Sequence, residues 1–282
     1  MKTWIIFLII VLLAASAPAA DKSASDPHKQ GLPADYHEVD TDPEAGRGIR
    51  KYAEDAQDGG QKNFGRQFVH DNQVFAVLRA DRLEYQTGEG NENVLWDAQA
   101  WVGADTNKLW FKSEGTWLLD EDKFEEAESE LLYSRNIAAF WDLQIGIRHD
   151  FKPDPDRTFG ALGFQGLAPY WFEVEATAYL SDDGDFSAGF ETEYDLLLSQ
   201  RLILQPRFET RVAVQEVEKY GVGQGINDIE LGVRLRYEIR REFAPYIGVS
   251  WHRKLGETAD LARDEGEDID VISLVAGVRV WF

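Results

Sequence analysis

The 282-residue chain has no cysteine, and its single methionine is Met1. Disulfides, thiolate zinc sites and iron–sulfur clusters are therefore excluded. Basic residues are also scarce: 29 Lys and Arg stand against 51 Asp and Glu, a formal charge of −22. A nucleic-acid partner needs basic surface, so that class is disfavoured. A surface this acidic attracts cations instead. No G-x-S-x-G nucleophile motif occurs, and His149, near Ser134, lacks the neighbours a hydrolase would need, so the chain reads as no enzyme. Long apolar runs are missing with one exception, "MKTWIIFLIIVLLAASAPAA". Its core, Trp4 to Leu13, falls short of the roughly 20 residues of a spanning helix. It reads as a secretory signal peptide, residues 1–20, cleaved after Ala19 or Ala20, which takes Met1 and the last sulfur ligand with it.

Aromatics, in contrast, are plentiful, with nine Trp. Amphipathic rings of this kind suit a membrane interface. Residues 21–72 are polar and aperiodic, with Pro27, Pro33, Pro43 and "EDAQDGGQKN" (Glu54 to Asn63). They read as a flexible acidic segment. From Gln73 onward the pattern becomes alternation. In "DIELGVRLRYEIR" (Asp228 to Arg240), Ile229, Leu231, Val233, Leu235, Tyr237 and Ile239 share one face, and Asp228, Glu230, Arg234, Arg236 and Glu238 share the other. Period 2 sustained over this length marks a strand with two unlike faces.

About twelve such segments are legible between 73 and 282, each long enough for the roughly 9–11 residues a tilted strand needs to cross a bilayer. The connections are asymmetric. Short turns ("ADTN", "SRNI", "GLAPY", "LLSQR", "RREFAP") face longer polar loops ("QTGEGNEN", "DFKPDPDR", "QEVEKYGVGQGIN", "LGETADLARDEGEDID"). The expected fold is all-β: a transmembrane antiparallel β-barrel of the outer membrane, with short periplasmic turns and long external loops. An even strand count puts residues 21–72 in the periplasm. The last stretch, "SLVAGVRVWF" (Ser273 to Phe282), alternates to its end and is expected to pair with the first strand so that no edge meets lipid. Phe282 resembles the terminal aromatic that the barrel assembly machinery reads in outer-membrane barrels. A soluble β-sandwich would explain neither the strand length nor the loop asymmetry.

The polar faces place Arg79, Asp81, Asp97, Gln99, Lys112, Glu114, Glu126, Glu128, Glu130, Asp142, Gln144 and Arg148 in the lumen, with Glu173, Glu175, Glu191, Glu193 and Asp195 after them. Arginines dominate the next strands: Arg207, Arg211, Arg234 and Arg236 line the lumen with Glu209 and Glu238, and Arg279 follows. The densest acidic patch is Glu173/Glu175 with Glu191/Glu193/Asp195, on two strands joined by "SDDGD". It forms either a cation path, as acidic rings do in cation channels, or one half of a set of ion pairs with those arginines. "ARDEGEDID" (Ala262 to Asp270) reads as a solvated external loop without the spacing of an EF-hand.

"GLAPYWFEVEATAYLSDDGDFSAGFETEYDLLLSQRLILQPRFE" (Gly166 to Glu209), "DIELGVRLRYEIRREFAPYIGVSW" (Asp228 to Trp251) and "RADRLEYQTGEGNENVLWDAQAWVGADTNKLWFKSEG" (Arg79 to Gly115) resemble the outer-membrane copper resistance protein B family. The resemblance covers about residues 64–282. It implies an outer-membrane barrel in copper homeostasis, with a periplasmic copper protein as partner. Family members often carry a Met- and His-rich N-terminal segment. Here that segment holds only His28, His37 and His70. With no thioether or thiolate left, any copper site must use imidazole and carboxylate, which favours Cu(II) over Cu(I). The candidate ligands are His28, His37 (in "YHEVD"), His70, His252 near the external end of its strand, and the five carboxylates of the acidic patch. His149 sits at the external end of another strand. The alternative is a general porin or structural barrel without copper selectivity.

Overall fold

The period-2 segments all form strands. The computed structural model describes residues 73–88 and 91–282. Along it run β1 (Phe75–Gly88), β2 (Asn91–Gly103), β3 (Asn107–Leu118), β4 (Lys123–Ala138), β5 (Trp141–Lys152), β6 (Arg157–Ala168), β7 (Phe172–Ser181), β8 (Phe186–Glu193), β9 (Leu196–Leu197), β10 (Leu202–Ala213), β11 (Gly225–Tyr237), β12 (Phe243–Lys254), a helix α1 (Gly256–Glu265) and β13 (Asp270–Trp281). Each strand pairs antiparallel with the next except β8 and β9, which both pair with β10. These two are halves of one crossing, so thirteen strands make twelve crossings of a closed barrel.

Closure comes from β1 against β13, in register from Arg79↔Trp281 to Thr87↔Leu274. The ladder extends to the last residue: the Phe282 N–H donates to the Leu78 carbonyl at 2.8 Å, and the Leu78 N–H to the Phe282 carbonyl at 3.0 Å. Among the described residues every full-length strand is paired on both sides, as a bilayer interior requires, and only the two-residue β9 pairs on one side alone.

The two faces of the wall are inverted relative to a soluble protein. Outward-facing Leu131, Ile145, Ile147, Leu162, Phe164, Leu180, Val233, Ile247 and Leu274 are exposed, whereas Arg82, Glu84, Glu130, Arg207, Arg234 and Arg236 are buried inside. Only a lipid surround makes that arrangement favourable. Aromatic side chains crowd the short turns, with Phe140 and Trp171 edge to face at 6.2 Å, where interfacial rings are stable.

Of the departures from simple alternation, three shape the lumen and its mouth. A bulge in β1 shifts the register between Ala80 and Arg82 against β2, so Asp81 and Arg82 both point inward and the phase of the strand flips. The crossing formed by β8 and β9 breaks at Tyr194 and Asp195. These residues face Pro206 of β10, which offers its carbonyl to the Tyr194 N–H at 3.1 Å but has no N–H to return. The third departure is α1, which corrects the expectation of a plain loop after β12.

Glycines let large rings lie flat on the wall. A Cβ at Gly115 would sit 2.3 Å from the Trp96 ring, and one at Gly277 would sit 2.6 Å from the Tyr246 hydroxyl. Such aromatic–glycine pairs pin register in curved sheets.

Candidate metal-binding lumen

Charged side chains cross the interior from wall to wall. Arg234 on β11 grips Glu84 on β1 with two hydrogen bonds, Nε at 2.7 Å and Nη2 at 3.1 Å. Lys112 on β3 reaches Glu175 on β7 at 2.5 Å. Arg82 holds Asp97 at 3.2 Å and Glu114 at 2.5 Å. Arg148 pairs with Glu128 and Asp150, and Tyr179 donates to Glu130 across the lumen at 2.8 Å. Arg211 lies 3.6 Å from Glu126. Each of these charges is taken out of bulk water, and pairing is what makes that tolerable.

The acidic patch read from the sequence exists, and it is joined to the arginines. Glu173 of β7 stands opposite Glu193 of β8, and Glu175 opposite Glu191. Arg207, buried on the neighbouring β10, collects Glu191 at 2.7 Å, Glu193 at 3.3 Å, Glu209 at 2.8 Å and Glu230 at 3.8 Å. Asp195 is bound by Arg236 at 2.6 Å. Glu173 is exposed at the periplasmic mouth and forms no ion pair among the described residues. Arg207 alone touches four carboxylates, and two of these are shared with Arg211, 3.3 Å from Glu209, and Arg234, 3.9 Å from Glu230.

The registers align a longer feature. Glu175 pairs with Glu191, Glu191 with Glu209, Glu209 with Glu230, and Glu230 with His252. Five adjacent crossings, β7, β8, β10, β11 and β12, therefore carry four carboxylates and an imidazole in one row. Directly opposed residues have Cβ atoms about 5 Å apart. Because barrel strands tilt, a register row climbs around the wall. It starts in the periplasmic half at Glu175 and ends near the external rim at His252.

Other candidates are not brought to this row. His149 points outward, its Nδ1 2.9 Å from the Thr158 hydroxyl and its ring edge-on to Phe151. It and His252 face opposite sides of the wall. His28, His37 and His70 lie outside the described residues. Among the described residues, no three His, Asp or Glu side chains are gathered tightly enough to hold a metal ion. Sequence reasoning missed Arg82 and Glu84, because uninterrupted alternation from Arg79 and Asp81 sends them to lipid. The signal was present in "RADRLEY", where Leu83 and Tyr85 fall in the phase that Arg79 and Asp81 had occupied.

The family model described as copper resistance protein B precursor matches residues 74–282, the whole barrel. The chain belongs to the copper resistance protein B family. Copper resistance protein B of Escherichia coli is 45% identical over 214 residues, which cover 76% of this chain and 72% of that one. The homolog from Pseudomonas syringae pv. tomato is 42% identical over the same length and shares. Among solved structures, the NanC porin resembles it at 12% identity and a TM-score of 0.49, covering 73% of this chain and 99% of that one. Escherichia coli outer membrane phospholipase A does so at 14% and 0.42, covering 78% and 96%. As a member of this family with a lipid-facing barrel, the protein resides in the outer membrane.

Proposed function

We propose that this protein serves copper resistance by taking up copper ions, as Cu(II), on the carboxylate row of its lumen. The observation that carries the reading is the row itself: Glu175, Glu191, Glu209, Glu230 and His252 in continuous register, its carboxylates shared with Lys112, Arg207, Arg211 and Arg234. Oxygen and imidazole donors suit Cu(II), and the mature chain has no soft donor for Cu(I). Glu173, Glu193 and Asp195 extend the acidic surface to the periplasmic mouth, and His28, His37 and His70 offer imidazoles in the preceding segment. The sites along the row are weak and exchangeable, because lysine and arginine already occupy much of their oxygen. Ions pass from site to site as they do along acidic rings. The role is not enzymatic. A periplasmic copper protein is the expected partner on the inner side, and the barrel assembly machinery engages Phe282.

Calorimetric titration of the purified mature barrel with Cu(II), Cu(I) and Zn(II) tests this. Cu(II) binding that survives alanine at His28, His37 and His70 but is lost in Glu191→Gln/Glu209→Gln/Glu230→Gln supports the row. Loss with the histidine variant alone moves the site to the periplasmic segment. The second reading, a porin or structural barrel without copper selectivity, is favoured by the lack of a three-ligand cluster among the described residues. Equal and feeble response to copper and zinc would establish it.

A further inference from the structure

We propose that the two largest external loops form a single latched lid that shuts the barrel mouth to the outside. The first loop joins β10 to β11 and the second, carrying α1, joins β12 to β13. They are locked together by a buried polar knot. The Gly223 N–H donates to the Thr258 hydroxyl at 2.9 Å, and the Asn227 amide donates to both the Gly223 carbonyl at 3.0 Å and that hydroxyl at 2.9 Å. Thr258, Ala259 and Ala262 of α1 are buried, although α1 lies in an external loop. The approach is close enough that a Cβ on Gly223 would lie 2.3 Å from the Thr258 nitrogen.

The first loop also reaches along the mouth. From the first, Tyr220 stacks on the Arg157 guanidinium at 4.6 Å. Arg157 belongs to the inner face of β6, and β7 and β8 lie between it and β10, so Tyr220 spans about 14 Å of wall. Arg157 is itself held by Ser181 at 3.1 Å and by Asp185. From the second, Glu267 pairs with Lys254 at the end of β12 at 2.5 Å, tying the loop to the strand it leaves. The lid is thus braced at β6 by the first loop and tied to β12 by the second. Glycines in the left-handed region lie at its edges: Gly221 and Gly225 in the first loop, Gly256 and Gly266 on either side of α1. They are natural hinges for a rigid helix swinging as a unit.

The proposal stands apart from copper. Where the row below takes up copper, the lid decides whether it is reached from outside. The chain has no cysteine, so one introduced thiol reports alone. Gly189→Cys places it in the lumen of β8, where a Cβ meets nothing closer than the Tyr179 ring at 3.8 Å. Asp183→Cys, exposed in the external turn between β7 and β8, serves as the control. Intact cells are treated with a membrane-impermeant maleimide, and barrel folding is checked by heat-modifiable migration. The thiol at 189 should react slowly with the lid intact, and at least about 10-fold faster in Tyr220→Ala/Asn227→Ala/Thr258→Ala, while the control reacts rapidly in both. Equal rapid labelling of position 189 with and without the latch overturns the lid. So does slow labelling in both backgrounds, since the mouth would then be closed by something else.

Discussion

Arg234 and Glu84 show what a single interior charge does. Glu84 is 1% exposed and Arg234 3%, and they join strands that are 150 residues apart in sequence. Removing one partner leaves the other charged, buried and uncompensated, which costs about 3–5 kcal/mol, whereas replacing both with apolar groups of similar volume is close to neutral. Arg234→Met should therefore lower the guanidinium midpoint of barrel unfolding in lipid vesicles markedly, and Arg234→Met/Glu84→Met should recover most of the loss. A double variant as unstable as the single would mean that the pair itself, not the relief of an orphaned charge, supports the barrel. Arg234 was legible in the sequence as an inward residue, and its partner was not. One extra residue in β1 reverses the facing of everything after it, and a period read by eye carries its old phase through the bulge.

At the scale of an element, the strands were legible because their environment is unlike on the two sides, lipid against a charged lumen, and only period 2 separates the two sets. The parts that were not legible are those where a local contact decides the outcome. The break between β8 and β9 is set by Pro206 on the neighbouring strand. The helix α1 has no side-chain N-cap, is only ten residues long, and buries Thr258, Ala259 and Ala262, too small a face to stand out among its acidic neighbours. Its one clear sign was Gly266, whose N–H closes the helix onto the Ala262 and Arg263 carbonyls. The pairing of Trp96 with Gly115 yields a test of element packing. A β-branched side chain at 115 should push the indole off the wall at a cost of about 1–3 kcal/mol. Gly115→Val is expected to lower the unfolding midpoint and shift the tryptophan emission to the red. The same substitution at Gly160, where a Cβ meets nothing closer than the Leu180 carbonyl at 3.9 Å, should leave the emission unchanged.

For the whole molecule, the sequence made the acidic lumen legible but not its degree of neutralisation, since pairing across a barrel joins residues far apart in the chain. Lys112 meets Glu175 across three intervening strands, and Arg211 meets Glu126 from the far wall. These two cations are struts that occupy the lumen and also mask its carboxylates. Taking both away acts twice in the same direction. It clears long side chains from the path and leaves Glu126 and Glu175 as uncompensated negative charge facing the lumen, with Glu209 held by Arg207 alone. Lys112→Ala/Arg211→Ala should therefore raise the single-channel current in planar bilayers, and the reversal potential under a potassium chloride gradient should show strong cation preference. That preference should weaken as ionic strength rises, because the Debye length shrinks from about 10 Å at 0.1 M to about 3 Å at 1 M. An anion-preferring current would contradict an acidic path. An unchanged current in a correctly folded variant would locate the resistance elsewhere, in the Arg207 cluster or at the external mouth. Adding Tyr220→Ala/Asn227→Ala/Thr258→Ala would then tell these apart, since only a barrier at the lid responds to it.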